Sequence, residues 1–278
     1  MGSMNPAAVG RQVLGMALFV AEADCGRGVF SDRALRTGEV IERAPVLAIP
    51  QGQIAALNGT VLYDYWFGWG ASDQDAGVSG GYGSLYNHSF AANIAYRKDL
   101  VAGELQFVAR RDIAGGEELR IDYTGGDHQT AQLWFSDQNT LASTARPERA
   151  LAQQPGVRVT RSPLSGRGVF ALRDFAVGDE VEVAPIIVVP AHEWPGVSST
   201  PLNDHCFAWG DELQHAAFGL GCSSFYNHAD DPAAAFTRDR EHRLLRFTAR
   251  RAIASGSEIT IDYRSSYSEP FPLAFEVR

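Results

Sequence analysis

At 278 residues, 45% of them apolar and 21% charged, the chain suits one large domain or two of about 140 residues, each burying its own core. A formal charge of −9 argues against a nucleic-acid partner, which draws on clustered Lys and Arg, and suits a basic peptide or an amine-bearing small molecule as well as plain solubility. No apolar run reaches the roughly 20 residues that a membrane helix needs, so no membrane partner is expected.

In chain order, Met1-Gly2-Ser3-Met4 reads as an added leader ahead of a second start and is set aside. Next comes Gly26-Arg27-Gly28, a Gly-x-Gly turn between two expected strands. Residues 39–49 are β-branched and apolar between Gly38 and Pro50 and predict a strand. The aromatic-rich stretch 58–69 can hold a short helix. Tyr82 to Asn93 includes Tyr86-Asn87-His88-Ser89, and two further strands are expected at 106–109 and 119–122, joined by a hairpin-like bend at Gly115-Gly116. A linker over 136–156 holds Pro147 and Pro155, with a possible short helix over 144–153.

The same pattern then returns at a constant shift of 140 residues. Gly26-Arg27-Gly28-Val29-Phe30 becomes Gly166-Arg167-Gly168-Val169-Phe170, Ala44-Pro45 becomes Ala184-Pro185, and Asp64 and Trp69 become Asp204 and Trp209. Tyr86-Asn87-His88 becomes Tyr226-Asn227-His228, and Ile121-Asp122-Tyr123 becomes Ile261-Asp262-Tyr263. An unbroken offset of this kind marks a duplicated domain with conserved loop lengths, and two long units are not a solenoid. The expected organisation is a mostly-β fold with short helices in two pseudo-two-fold related copies, 1–135 and 157–278, paired within one chain.

Three elements recur in fixed order, each with a chemical use. Glycines in the Gly26/Gly28 and Gly166/Gly168 turns let backbone groups approach a ligand closely. The Asn87-His88 and Asn227-His228 pairs offer donors and acceptors suited to an adenine edge, a ribose or a carboxylate. Tyr123 and Tyr263 end strands next to an acidic residue and can orient a nucleophile or stabilise developing charge. Each element alone is equally at home in a plain turn, a satisfied core or a half-buried strand end. One histidine per motif makes no metal set, and His192, His205, Cys206, His215 and Cys222 are too irregularly spaced for zinc. Cys25, Cys206 and Cys222 form no CxxC pair and suit a reducing cytoplasm.

Taken together, GRGVF, NHSFAAN and GEELRIDY resemble the three signature segments of the SET-domain methyltransferases, in the family's order and in two copies. The resemblance implies a small β fold with a knot-like crossing and S-adenosylmethionine as cofactor. It implies that Gly26, Arg27 and Gly28 contact the methionine end, that Asn87 and His88 hold the methionyl and adenine parts, and that Tyr123, with Tyr86, stands where the methyl group moves. Gly166, Arg167, Gly168, Asn227, His228 and Tyr263 would do the same in the second copy. The family's usual acceptor is a lysine amine, whose deprotonation at pH 7 costs about 4.6 kcal/mol from its free pKa. A desolvating channel and a nearby sulfonium would lower that cost.

The copies are unequal: Tyr82, Ser89 and Asn93 are replaced by Cys222, Ala229 and Ala233. The first copy is therefore the expected site of turnover. The cysteine-rich zinc segments of histone-modifying members are missing, which points to the stand-alone bacterial type. Trp134, Phe135, Tyr267, Phe271 and Phe275 are candidates to close the pockets. A small amine or carrier-bound acceptor, or a non-catalytic cofactor-binding pair, are the alternatives.

Overall fold

The computed structural model of the chain describes residues 18–24, 26–125, 145, 152–153 and 156–266. The leader, Cys25 and the five candidate lid aromatics lie outside them. So does most of the possible helix over 144–153. Its last two residues are not helical but form a short strand, β10 (Ala152–Gln153), paired with Phe19 and Val20.

Each copy is two sheets. In the first copy, β1 (Leu18–Ala23), β2 (Gly26–Ser31), β6 (Asn87–His88) and β9 (Glu118–Ile121) form one sheet in the order β10-β1-β2-β9-β6. The other holds β3 (Val40–Ile49), β4 (Trp66–Trp69), β5 (Asp75–Ser79), β7 (Ile94–Asp99) and β8 (Glu104–Ala109) in the order β4-β5-β3-β8-β7. In the second copy, β11 (Val157–Arg161), β12 (Arg167–Ala171), β16 (Asn227–His228) and β19 (Glu258–Ile261) run β11-β12-β19-β16. Its other sheet runs β14-β15-β13-β18-β17, from β13 (Glu180–Val189), β14 (Cys206–Trp209), β15 (His215–Gly219), β17 (Ala234–Asp239) and β18 (Leu244–Ala249). The aromatic-rich stretches 58–69 and 201–209 hold 3-10 turns, Val61–Tyr65 and Pro201–His205, and short α-helices, Gln51–Ile54 and Trp194–Ser198, lie just ahead of them.

The expected hairpin at Gly115-Gly116 is corrected: β8 pairs with β3 and β7, whereas β9 lies in the other sheet between β2 and β6. The turn carries the chain from one sheet to the other. β9 and β6 pair in parallel, so the conserved Asn-His pair lies beside the strand that leads into Asp122-Tyr123. Pro45 has a matching explanation. β3 pairs with β8 up to Pro45 and with β5 from Val46 onward, so the residue without an N–H falls where the strand changes partners. Pro185 occupies the same hand-over in β13.

One large apolar core runs through both copies, from Leu18 to Ile261, and Phe19, Ala21 and Phe30 form a small separate cluster on β1 and β2. Where they meet, Gly81 and Gly221 exchange backbone hydrogen bonds of 2.6 and 2.7 Å. Because these residues are equivalent, the bridge marks the pseudo-two-fold axis. A buried glutamate flanks it on each side. A β-bulge in β3 turns both Ile41 and Glu42 inward, and the Glu42 carboxyl accepts from the Tyr82 N–H (2.7 Å) and the Tyr86 hydroxyl (2.8 Å). Glu182, at the equivalent bulge, accepts from the Cys222 N–H at 2.6 Å. A β-carbon on Gly81 or Gly221 would collide with these carboxyls.

Burial pushes both Glu42 and Glu182 up to about 7, against the opposing pull of their hydrogen bonds. A raised carboxyl stabilises the fold fully below its unfolded value and loses that contribution as pH rises through its folded value. The window is therefore 4.5 to about 7, and the loss is on the order of 3 kcal/mol per carboxyl. Glu182→Gln should flatten the fall in melting temperature between pH 5 and 8 relative to the parent protein. Parallel melting curves across that range would contradict the assignment.

Candidate functional site

The glycine turn between β1 and β2 rests on a carboxylate. Glu118 of β9 is fully buried, and a β-carbon on Gly28 would stand 2.7 Å from its Oε1. Asn87 ties the turn to this carboxylate: its Nδ2 donates to the Arg27 carbonyl (3.2 Å) and to Glu118 Oε1 (2.7 Å). Arg120 holds the other oxygen, donating from Nε at 2.9 Å. Asn93 fixes the strand itself, donating to the Glu118 carbonyl (2.8 Å) and accepting from the Arg120 N–H (2.8 Å).

His88 and Tyr123 form the second half of the site. The Tyr123 N–H donates to His88 Nδ1 at 3.1 Å, which makes Nε2 the protonated ring nitrogen, and the two rings stand 5.2 Å apart. Phe90 meets the His88 ring edge-on at 4.7 Å. The Tyr123 hydroxyl donates to the Tyr86 carbonyl at 2.7 Å, which fixes its position, and the residue as a whole is 46% exposed among the described residues.

The second copy repeats this frame with substitutions that compensate one another. Asn227 Nδ2 donates to the Arg167 carbonyl (3.2 Å) and to Glu258 (2.8 Å), the Tyr263 N–H to His228 Nδ1 (3.2 Å), and the Tyr263 hydroxyl to the Tyr226 carbonyl (2.6 Å). Thr260 replaces Arg120, so Glu258 is held instead by the Ser162 hydroxyl at 2.8 and 2.9 Å. With Ala233 in place of Asn93, the Thr260 hydroxyl accepts from the Ala233 N–H at 3.3 Å. Burial, then the Asp204 and Glu258 carboxylates, push the Tyr263 phenol up to about 12, so it stays protonated.

The structure thus brings Gly26, Gly28, Asn87, His88 and Tyr123 together, and Gly166, Gly168, Asn227, His228 and Tyr263 likewise. Three of the named side chains point elsewhere. Tyr86 gives the site its carbonyl, but its ring and hydroxyl lie in the seam against Glu42. The Arg27 guanidinium reaches the Ile186 carbonyl of the other copy, and that of Arg167 reaches Val46. Glu118 and Glu258 were missed by sequence reasoning. The available signal was an acidic residue retained, 140 positions apart, at the head of the strand that leads into Asp122-Tyr123 and Asp262-Tyr263. Of the irregular His/Cys set, His205 Nδ1 meets the Ser224 carbonyl (2.6 Å) and His215 Nδ1 accepts from Ala191 (3.1 Å); no group of three metal-binding side chains occurs among the described residues.

These residues fit a cofactor with a zwitterionic tail and a flat base. A β-carbon at Gly26 would meet open space, so the turn presents bare backbone, and it stands beside an amide whose orientation is fixed and a half-exposed phenol. No helix among the described residues is long and apolar enough to cross a membrane.

The SET-domain family profile matches residues 26–124 and 166–264. The histone-lysine N-methyltransferase specific for H3 lysine-37 of Schizosaccharomyces pombe is 34% identical over 123 residues, which are 44% of this chain and 78% of that protein. Among solved structures, a candidate histone methyltransferase of Plasmodium falciparum is 24% identical with a TM-score of 0.35, over 42% of this chain and 99% of that one. The Chaetomium thermophilum Polycomb repressive complex 2, in an autoinhibited conformation bound to S-adenosylmethionine, is 22% identical with a TM-score of 0.36; the match covers 41% of this chain and 16% of that one.

Proposed function

Because this chain belongs to the SET-domain family and is an S-adenosylmethionine-dependent methyltransferase, we propose that its acceptor is a protein lysine and that the first copy performs the transfer. The observation that carries this reading is the convergence of the glycine turn, Asn87-His88 and the Tyr123 hydroxyl in the copy that keeps the Asn93 and Arg120 supports.

In this reading 1–135 and 157–278 are the two domains, joined by 136–156 and working as an intramolecular pair. The backbone of Gly26 to Gly28, with the Asn87 amide, would hold the methionyl end of the cofactor, and His88 would flank its base. When bound, the cofactor supplies an electrophilic methyl group on a sulfonium. The chain's own residues deal with the amine. The Tyr123 hydroxyl has committed its proton to the Tyr86 carbonyl, so its lone pairs are what it offers, and they can accept an N–H of a neutral amine. That contact fixes the direction of the amine lone pair, and positioning of this kind is the main source of acceleration where no general base is bonded to the nucleophile. The second copy keeps the frame but lacks Ser89, Asn93 and Arg120, and serves chiefly as a packing partner.

Methyl-labelled S-adenosylmethionine, incubated with the protein and a lysate of its native source, should label lysine side chains in protein, read by peptide mass spectrometry. Label confined to the small-molecule fraction would transfer the assignment to a small amine.

A further inference from the structure

The glycine turns of the two copies are tied to each other's sheets. Arg27 Nη2 donates to the Ile186 carbonyl at 2.8 Å, and Arg167 Nη2 donates to the Val46 carbonyl at 2.7 Å. Val46 and Ile186 are equivalent positions, each the first residue after the proline at which the long strand changes partners. The two bonds are one contact, made twice across the axis.

At the same residues the main chain takes part in the site. The carbonyls of Arg27 and Arg167 accept from Asn87 and Asn227, each at 3.2 Å. Main chain and side chain of one residue thus serve opposite copies. On the outer edge of each turn, a β-carbon at Gly26 or Gly166 would touch nothing within 4 Å among the described residues. Both guanidiniums are largely withdrawn from water, and a charge-assisted bond to a carbonyl in such a setting is stronger than its exposed counterpart.

We propose that Arg27 and Arg167 are positioning residues through which each copy holds the cofactor turn of the other. This assigns the second copy a task that does not require its own turnover. It rests on the glycine turn being the cofactor site.

The bracing is unequal, and two positions account for it, Arg243 standing where the first copy has Gly103 and Leu85 where the second has Phe225. Arg167 also donates to the Gly103 carbonyl at 3.3 Å and lies over the Phe225 ring at 4.7 Å. The position equivalent to Gly103 is Arg243, which brings a second positive charge towards Arg27, and Arg27 Nη1 has no hydrogen-bond partner among the described residues. Among the described residues, the Arg27 side chain therefore makes a single hydrogen bond across the axis, against the two of Arg167.

The test uses the full chain and two probes, S-adenosylhomocysteine and its decarboxylated analogue, titrated calorimetrically against the parent, Arg27→Met and Arg27→Lys. Loss of one charge-assisted positioning bond should weaken both probes alike, by about tenfold in Arg27→Met. Arg27→Lys, which retains one charged donor, should recover most of that loss. With saturating acceptor, the KM for S-adenosylmethionine should rise in Arg27→Met while kcat stays close to the parent. Equal affinity in parent and Arg27→Met would overturn the proposal, as would a loss confined to the carboxylate-bearing probe, which would make Arg27 a direct ligand contact. No binding of S-adenosylhomocysteine to the parent would instead remove the cofactor reading beneath it. Should Arg27→Met fail to fold, a crystal structure of the parent with S-adenosylhomocysteine decides: an intact Arg27–Ile186 bond is expected, and a guanidinium swung onto the ligand's carboxylate overturns it.

Discussion

Tyr123→Phe should lower kcat by about 10²- to 10³-fold, the usual cost of removing one preorganised polar group from a reacting centre, and leave cofactor affinity near that of the parent. The hydroxyl is the only atom removed. It bonds to the Tyr86 carbonyl, and the backbone N–H that holds His88 stays in place. The ring continues to pack against His88, so the cofactor side of the pocket keeps its shape. Tyr263→Phe removes the equivalent atom from the second copy and should cost far less, since turnover is assigned to the first. Single-turnover kinetics with methyl-labelled cofactor, alongside calorimetric affinities, separate the two quantities. A Tyr123→Phe enzyme with parental kcat would remove the phenol from the reaction.

Glu118→Gln should destabilise the chain by about 2 kcal/mol, the usual cost of losing charge-assisted hydrogen bonds between buried groups. Arg120 has only 6% of its side chain exposed and Glu118 none, so the pair is held away from water. The matching Glu258→Gln replaces a carboxylate held by the Ser162 hydroxyl and the Asn227 amide, neither of them charged. It should cost only about 1 kcal/mol, the net worth of an ordinary hydrogen bond. Chemical denaturation of both variants gives the comparison directly. Equal losses would mean that the Arg120 pair contributes nothing particular to the first copy. Glu118→Gln should also weaken cofactor binding, since Asn87 and the floor beneath Gly28 both depend on that carboxylate.

Much of this site was legible because the repeat made weak motifs additive. A Gly-x-Gly turn, an Asn-His pair or a strand-end tyrosine says little singly, whereas three in order at one constant offset define a duplicated fold. What stayed hidden depends on contacts between residues far apart in sequence. Nothing near Arg27 in the chain signals that its side chain ends on Ile186, 159 residues later. Tyr86 adjoins Asn87 and so read as part of the site, yet alternation along the extended chain turns its ring to the seam, where Glu42 takes the hydroxyl. The Gly115-Gly116 bend read as a hairpin because two strands flank two glycines. Local pattern cannot tell a turn that folds a sheet back on itself from one that passes between sheets. The loss of Asn93 in the second copy reads as decay, but Thr260 takes over part of its work, as Ser162 does for Arg120, a compensation visible only in three dimensions.

The most direct measurement is a crystal structure of the full chain with S-adenosylhomocysteine. It should show ligand density in the first copy bounded by Gly26–Gly28, Asn87–His88 and the Tyr123 hydroxyl. Density lying elsewhere, with those three elements still packed together around nothing, would contradict the account at its root.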